Sequence, residues 1–518
     1  MNKKYAILMG FFFFVFGGCA TLPTDFERIE SYAYSDTDNT IFGKSISARS
    51  AAHPEKSGFY LLRNGLDAFL ARVILIQRAE RSIDVQYYLY HDDLVGRLFT
   101  DQLLKAADRG VRIRLLVDDM DLAGRDLGAA VIDSHPNMEV RIFNPFSRKT
   151  ARISQFITRM GSVTRRMHNK AFAVDSQIAI LGGRNIGDEY FDANPDLVFS
   201  DLDVMTIGPV VKDVSTAFDR YWNNDLAYPA TVLKGDPPTV EEVQQFRGQL
   251  DDFVTQQVDS PYLQALRNSN MATKIREDRV IFAWGDGHVI YDQPEKILQK
   301  TSETSFHLFP QLVPYLDDVK KELIIFSPYF IPGKSGTAFL THLVDRGVKV
   351  RILTNSLASN DVGIVHSGYS KYRKPLLRGG VELYELNSQL TRKERDQKKG
   401  TGGSSKASLH AKSFVLDRKN VFIGSLNLDP RAMIHNTEIG VILASEEIAG
   451  DMGAEFDQNI DRNAFRLELV KSKNGSEKIL WHGLIDEEEK TFDVDPFTGF
   501  WQRLGINFMR LFPIESQL

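Results

Sequence analysis

Two short stretches of this chain carry residue types that act on phosphate. His168, Lys170 and Asp175 lie in HNKAFAVD, and His410, Lys412 and Asp417 lie in HAKSFVLD. Residues two apart on a strand face the same side, so each His projects beside its Lys, and each Asp falls where the strand meets a turn. A returning strand ends in Gly182-Gly183-Arg184-Asn185 in one stretch and Gly424-Ser425-Leu426-Asn427 in the other. Glycine there permits close approach of backbone to ligand, and Asn185 and Asn427 add amide donors. Two imidazoles titrating near neutrality can serve as nucleophile and as proton donor toward a phosphodiester, with the lysines and asparagines holding its non-bridging oxygens. Lysine is not a usual ligand for divalent metals, and neither motif has zinc spacing, so no metal and no cofactor are expected.

The elements that must position these residues occur twice. SIDVQYYLY, LVGRLFTDQLLKAADRG and VRIRLLVDD reappear in order as ELIIFSPYF, TAFLTHLVDRG and VKVRILTNS. A short strand, a basic loop, the His motif, a strand (DLDVMTIG; TEIGVIL) and a helix follow in each copy. Strands alternating with helices predict an α/β fold of two pseudo-symmetric α/β/α halves, each a mixed sheet flanked by helices, with the active site at their interface. The halves are expected at 60–225 and 278–460, with a linker carrying helices at 226–277 and a tail at 461–518. Phe500, Trp501, Leu504, Phe508, Leu511 and Phe512 recur in the tail at helical spacing, which fits packing on the body or a helix lying on a membrane.

At 518 residues the chain is long for one domain, consistent with a unit built twice. Lys plus Arg number 63 and Asp plus Glu 68, so no global basic field marks a nucleic-acid binder. Positive charge is local. Arg148, Lys149, Arg152, Arg159, Arg165 and Arg166 precede the first motif with no acid among them, and Arg392, Lys393, Arg395, Lys398, Lys399 and Lys406 precede the second. Such loops suit anionic headgroups, and Phe156 and Ile157 could enter acyl chains. At the start, Lys3 and Lys4 precede an apolar run from Tyr5 to Gly18, too short to span a bilayer and followed by the only cysteine, Cys19. Gly17-Gly18-Cys19-Ala20 resembles a lipoprotein processing site, with Phe16 where Leu is usual. That resemblance implies residues 1–18 as signal peptide, Cys19 as the lipidated residue, 19–59 as a tether, and a bacterial cell envelope location, at the outer membrane rather than the inner.

The duplicated HxKxxxxD, each followed by its Gly and Asn, resembles the phospholipase D superfamily. Long passages, including IDVQYYLYHDD, RGVRIRLLVDD, GGRNIGDEYF and IGSLNLDPRAMIHNTE, are similar to bacterial cardiolipin synthases of the C type. The resemblance implies transfer of a phosphatidyl group from phosphatidylethanolamine or phosphatidylglycerol to phosphatidylglycerol through a phosphohistidine, with phospholipids and a membrane surface as partners. It further implies a monomer containing both motifs, with room for a helper protein. It makes His168 the nucleophile, His410 the acid and base, and Asp203 and Glu438 the acids orienting them; the residues alone leave the two histidine roles exchangeable. Hydrolysis to phosphatidic acid, and phosphodiester chemistry on nucleic acid, use the same residues and stand as alternatives.

Overall fold

A computed structural model describes residues 21–159, 161–194, 197–360, 363–389, 406–472 and 475–510. Cys19, Arg392 to Lys399, Leu511, Phe512 and the side chains of Ile157 and Lys406 lie outside the described residues.

The first half contains β1 (Ser57–Leu62), β2 (Ser82–Tyr87), β3 (Arg112–Asp118), β4 (Met138–Phe143), β5 (Ala171–Val174), β6 (Ile178–Gly182), β7 (Leu197–Ser200), β8 (Asp203–Ile207) and β9 (Ala227–Pro229). Its sheet runs β1-β8-β6-β5-β2-β3-β4-β9, parallel only across β2, β3 and β4. The second half contains β10 (Ala283–Tyr291), β11 (Glu322–Phe326), β12 (Lys349–Thr354), β13 (Glu382–Leu386), β14 (Lys406–Leu409), β15 (Ser413–Leu416), β16 (Asn420–Gly424), β17 (Ile439–Ala444), β18 (Ala464–Lys471), β19 (Glu477–Ile485) and β20 (Glu488–Phe492). Its order is β10-β17-β16-β15-β11-β12-β13-β18-β19-β20, with the same parallel trio at β11, β12 and β13. The equivalent edge strands β1 and β10 pair with each other, so the halves share one sheet.

Local sequence explains the repeat. In each half a helix, Leu94–Asp108 or Gly333–Asp345, feeds the second strand of the parallel trio. Each ends at Arg-Gly, where Gly110 and Gly347 take φ of 94° and 88°, the left-handed turn that glycine makes without a Cβ clash. The strands read as apolar runs because both faces are covered. Outer cores form under helices Gly65–Arg78 and Leu94–Asp108 in one half and around Leu343, Ile352 and Leu383 in the other. A middle core joins them: Ala173, Ala179 and Leu181 with Val415, Val421, Ile423 and Val441, closed by helices Val210–Trp222 and Glu446–Asn463.

Three segments depart from the expected layout. The residues beyond 461 contribute β18 to β20 to the second sheet, and β18 is the counterpart of β9. Helices Val240–Gln256 and Asn270–Arg276, inside the expected linker, pack on helices of the first half. Arg28, Ile29 and Ser31, in the expected tether, are tied to Ala227, Arg141 and Arg114 of the first half. In each case apolar or backbone partners outweigh a polar local composition, which sequence patterning does not register.

Candidate active site

His168 and His410 stand where the two halves meet, and each with its Lys lies just ahead of the motif strand, β5 or β15. Residues before each His pair with the opposite half: Met167 bridges Thr437, and β14 runs parallel to β7 with Leu409 opposite Ser200. The His168 N–H donates to the Thr437 carbonyl at 2.8 Å, and the His410 N–H to the Ser200 carbonyl at 2.8 Å. The next residue on each partner strand is an acid. Glu438 holds His168 Nδ1 at 2.9 Å and Asp201 holds His410 Nδ1 at 2.5 Å, so each imidazole takes its acid from the other half.

Asp201 therefore replaces Asp203 as the acid beside His410. Asp203 instead accepts from buried Arg72 at 2.8 Å and lies 3.4 Å from Arg184. Strand register explains the error: Gly182 opposes Asp203 and Gly424 opposes Gly440, so Asp203 matches Gly440 and Asp201 matches Glu438. Two acids two residues apart share a strand face, and type alone does not separate them. Aligning DLDV on EIGV would have done so. The glycines also serve differently from expectation. A Cβ on Gly183 would lie 2.3 Å from Asp201 Oδ1, and one on Gly182 2.1 Å from Asp203 Oδ1, so the backbone approaches these acids rather than a ligand.

Asp175 and Asp417 do not reach the site. Asp175 accepts from the backbone N–H groups of Glu80, Arg81 and Ser82, and Asp417 from those of Lys320, Lys321 and Glu322. Both have left-handed φ, 51° and 53°, at the turn ending the motif strand. They tie that turn to the start of β2 or β11. Short acceptors at turns cap backbone donors, and this outweighs any catalytic placement.

Lys170 Nζ donates to the His168 carbonyl at 2.7 Å and Lys412 Nζ to the His410 carbonyl at 2.5 Å, which stations both ammonium groups beside the rings. Of the two amides, Asn185 is bound to the Leu89 N–H and the Tyr190 hydroxyl, whereas Asn427 Oδ1 is buried without a protein partner among the described residues. Sequence reasoning missed several supports. Asp118 accepts from the Met167 N–H at 2.9 Å and pairs with buried Arg166, while Asn355 grips the backbone of Leu409. Asp118 and Asn355 occupy the same place in VRIRLLVDD and VKVRILTNS. Tyr88 packs edge-on against His168 at 4.9 Å, and Tyr190 and Phe199 flank His410.

Burial, together with the charges of Lys170 and Lys412, keeps the His168 imidazole well below its ordinary pKa. Burial and Lys412 also lower His410, with Asp201 opposing them. Burial pulls Lys170 down to about 7. The two acids diverge. Burial pushes Glu438 up strongly, with Asp292 nearby adding to the rise. Asp201 is equally buried, yet His410, Lys412 and Arg184 hold its carboxyl below the usual range.

Three of the six basic residues of the first loop are paired with acids outside it. Arg148 pairs with Asp126 and Asp119, Arg152 with Asp119 and Arg166 with Asp118, while Arg165 donates to the carbonyls of Ile297 and Gln299. Ile153 and Phe156 of this loop are exposed. Among the described residues no helix is long and apolar enough to cross a membrane.

This architecture, two like halves with a His and Lys from each at one seam, is that of a phospholipase D-like enzyme. The family model for the cardiolipin synthase, phospholipase D-like domain matches twice, at residues 73–222 and 312–460, and the chain belongs to that family. It is 40% identical to cardiolipin synthase C of Escherichia coli over 466 residues, 89% of this chain and 96% of that protein. An uncharacterized protein of Helicobacter pylori is 30% identical over 99% of both chains. Among solved structures, phosphatidylserine synthase of Haemophilus influenzae shares the fold, with a TM-score of 0.55 at 13% identity over 92% of this chain and all of that one.

Proposed function

We propose that the protein makes cardiolipin by moving a phosphatidyl group from phosphatidylethanolamine or phosphatidylglycerol to phosphatidylglycerol. The observation carrying this reading is the crossed pair of imidazole–carboxylate contacts at one seam, in a chain similar over nearly its whole length to a cardiolipin synthase. With Nδ1–H given to Glu438, His168 presents a bare Nε2, which attacks phosphorus while the P–O bond to the donor's headgroup breaks. His410, whose imidazolium form ionised Asp201 stabilises, passes an Nε2 proton to that departing oxygen. In the second half-reaction the acceptor hydroxyl gives its proton to His410, its oxygen bonds phosphorus, and the phosphohistidine bond to His168 breaks. The divergent acids support this division of labour: a neutral ring suits the nucleophile, and a fixed negative charge suits the ring that must carry a proton. Lys170, Lys412 and Asn427 receive the non-bridging oxygens.

The same reading takes Cys19 as a lipidated anchor in the cell envelope. Helix Phe500–Met509 is a membrane contact, because Phe500, Trp501, Leu504 and Phe508 are all exposed on it. Its Gln502 donates to Leu357, two residues past Asn355, so it sits beside the His410 end of the site. The test is product analysis by mass spectrometry after incubation with phosphatidylethanolamine and phosphatidylglycerol vesicles. Cardiolipin is expected; phosphatidic acid alone would overturn the transferase reading.

A further inference from the structure

Beside that helix lies a cavity of about 530 Å³ that none of the proposed catalytic residues lines. At its base His366 is 1% exposed. His366 Nε2 faces Arg373 Nη2 at 2.8 Å and the Asp495 carboxylate at 3.5 Å; the nearer group is a guanidinium, which can only donate, so Nε2 accepts and the ring proton sits on Nδ1. That Nδ1 is buried and has no protein partner among the described residues. Leaving a buried donor unmatched is costly, a reason to look for a missing acceptor. Arg373 is not available to bind anything else: Glu385 and Asp495 hold it, and Glu385 also receives Tyr369 and Trp481. The network fixes the His366 ring rigidly.

The walls suggest what the acceptor belongs to. Besides Arg373, which Asp495 holds, and Lys478, which pairs with Asp493, the cavity is lined by Lys371, Lys374, Arg503 and Arg510 against one further acid, Glu477. Phe500 and Leu504 form an apolar wall, continuous with exposed Trp501 and Phe508 on the same helix. A phosphate oxygen matches the His366 donor and the basic rim. The apolar wall has no use for a free phosphate but suits acyl chains leaving the headgroup.

We infer that this cavity is a second phospholipid site, which takes the phosphodiester headgroup of an anionic membrane lipid on His366 Nδ1–H and the basic rim, with its acyl chains along Phe500 and Leu504. The inference rests on the proposed lipid chemistry only for the class of ligand. Binding is therefore measured in the His168→Ala background, where turnover cannot interfere and a failed product assay would leave the result readable.

Sedimentation with phosphatidylcholine vesicles, with and without phosphatidylglycerol, gives the binding preference. Removing two rim charges in Lys371→Ala/Arg510→Ala should lower that preference about thirtyfold, at about 1 kcal/mol per charge. His366→Phe keeps the net charge and should lower it at least fivefold. Unchanged preference in a folded His366→Phe protein overturns the site, since general charge attraction would then suffice. Should His366→Phe fail to fold, titration with short-chain phosphatidylglycerol decides, read through Trp481 fluorescence at the cavity wall. A saturable change absent with inorganic phosphate supports the site; no saturable change, or an equal one with phosphate, overturns it.

Discussion

Substituting Asp201 and Asp203 separately should divide catalysis from stability. Asp201→Asn leaves His410 Nδ1, now 2.5 Å from a carboxylate, with a neutral amide that neither stabilises an imidazolium nor fixes the tautomer. Losses for such orienting acids run from about a hundredfold to ten-thousandfold, roughly 3–5 kcal/mol of barrier. Asp203→Asn touches neither imidazole. It strips the charge from a carboxylate that is wholly buried against Arg72, whose side chain is 2% exposed, and near Arg184. Breaking one side of such a pair costs about 3–5 kcal/mol of folding stability. The assay is paired: cardiolipin formation on vesicles for turnover, and urea unfolding for stability. Asp201→Asn should lose turnover and hold its midpoint, and Asp203→Asn should shift its midpoint and, when folded, turn over within about threefold of the parent. The opposite pattern would refute the register argument and return the orienting role to Asp203.

Asp175→Ala should unfold at lower urea, by about 2–4 kcal/mol for three backbone donors left open, while folded protein keeps kcat; a large kcat loss at unchanged stability would place Asp175 in the site. Lys170→Met should abolish turnover yet stabilise the protein. Its folded pKa of about 7 lies below the ordinary 10.5, so the charge is destabilising in full below pH 7 and relieved as pH rises toward 10.5. The ceiling is about 5 kcal/mol, and about 1–3 kcal/mol is expected after repacking; urea curves from pH 6 to 10 should show the gain shrinking with pH, and a constant gap would refute it. Because His168 stays neutral well below pH 6.5, kcat/KM should show no loss as pH falls through 6.5; a loss there would refute His168 as the nucleophile. Serine at Phe500, Trp501 and Phe508 should reduce activity on vesicles but not on short-chain lipids in solution; equal loss on both would mean the helix matters only for folding.

The repeat, its succession of elements along the chain and both His–Lys pairs were legible in the sequence because they rest on local periodicity and on motifs seen twice. Matching the acids required register across strands, a property of pairing that residue type does not encode. The turn aspartates were misjudged because motif membership says nothing about which donors surround a side chain after folding. The basic residues ahead of His168 read as a headgroup surface, but Asp118, Asp119 and Asp126, distant in sequence, pair with three of the six. Residues 464–492 read as a tail because polar edge strands lack a strong apolar signal, although they complete the second sheet.

The exchange of acids between halves also bears on how such a chain can change over generations. Two fused copies of a self-sufficient unit are free to diverge until one becomes dispensable. Here each histidine belongs to one copy and its acid to the other, so a lesion in either copy disables a half-site in both. Redundancy, the usual gift of duplication, is absent from the outset, and neither half can decay or be deleted while the other continues to work.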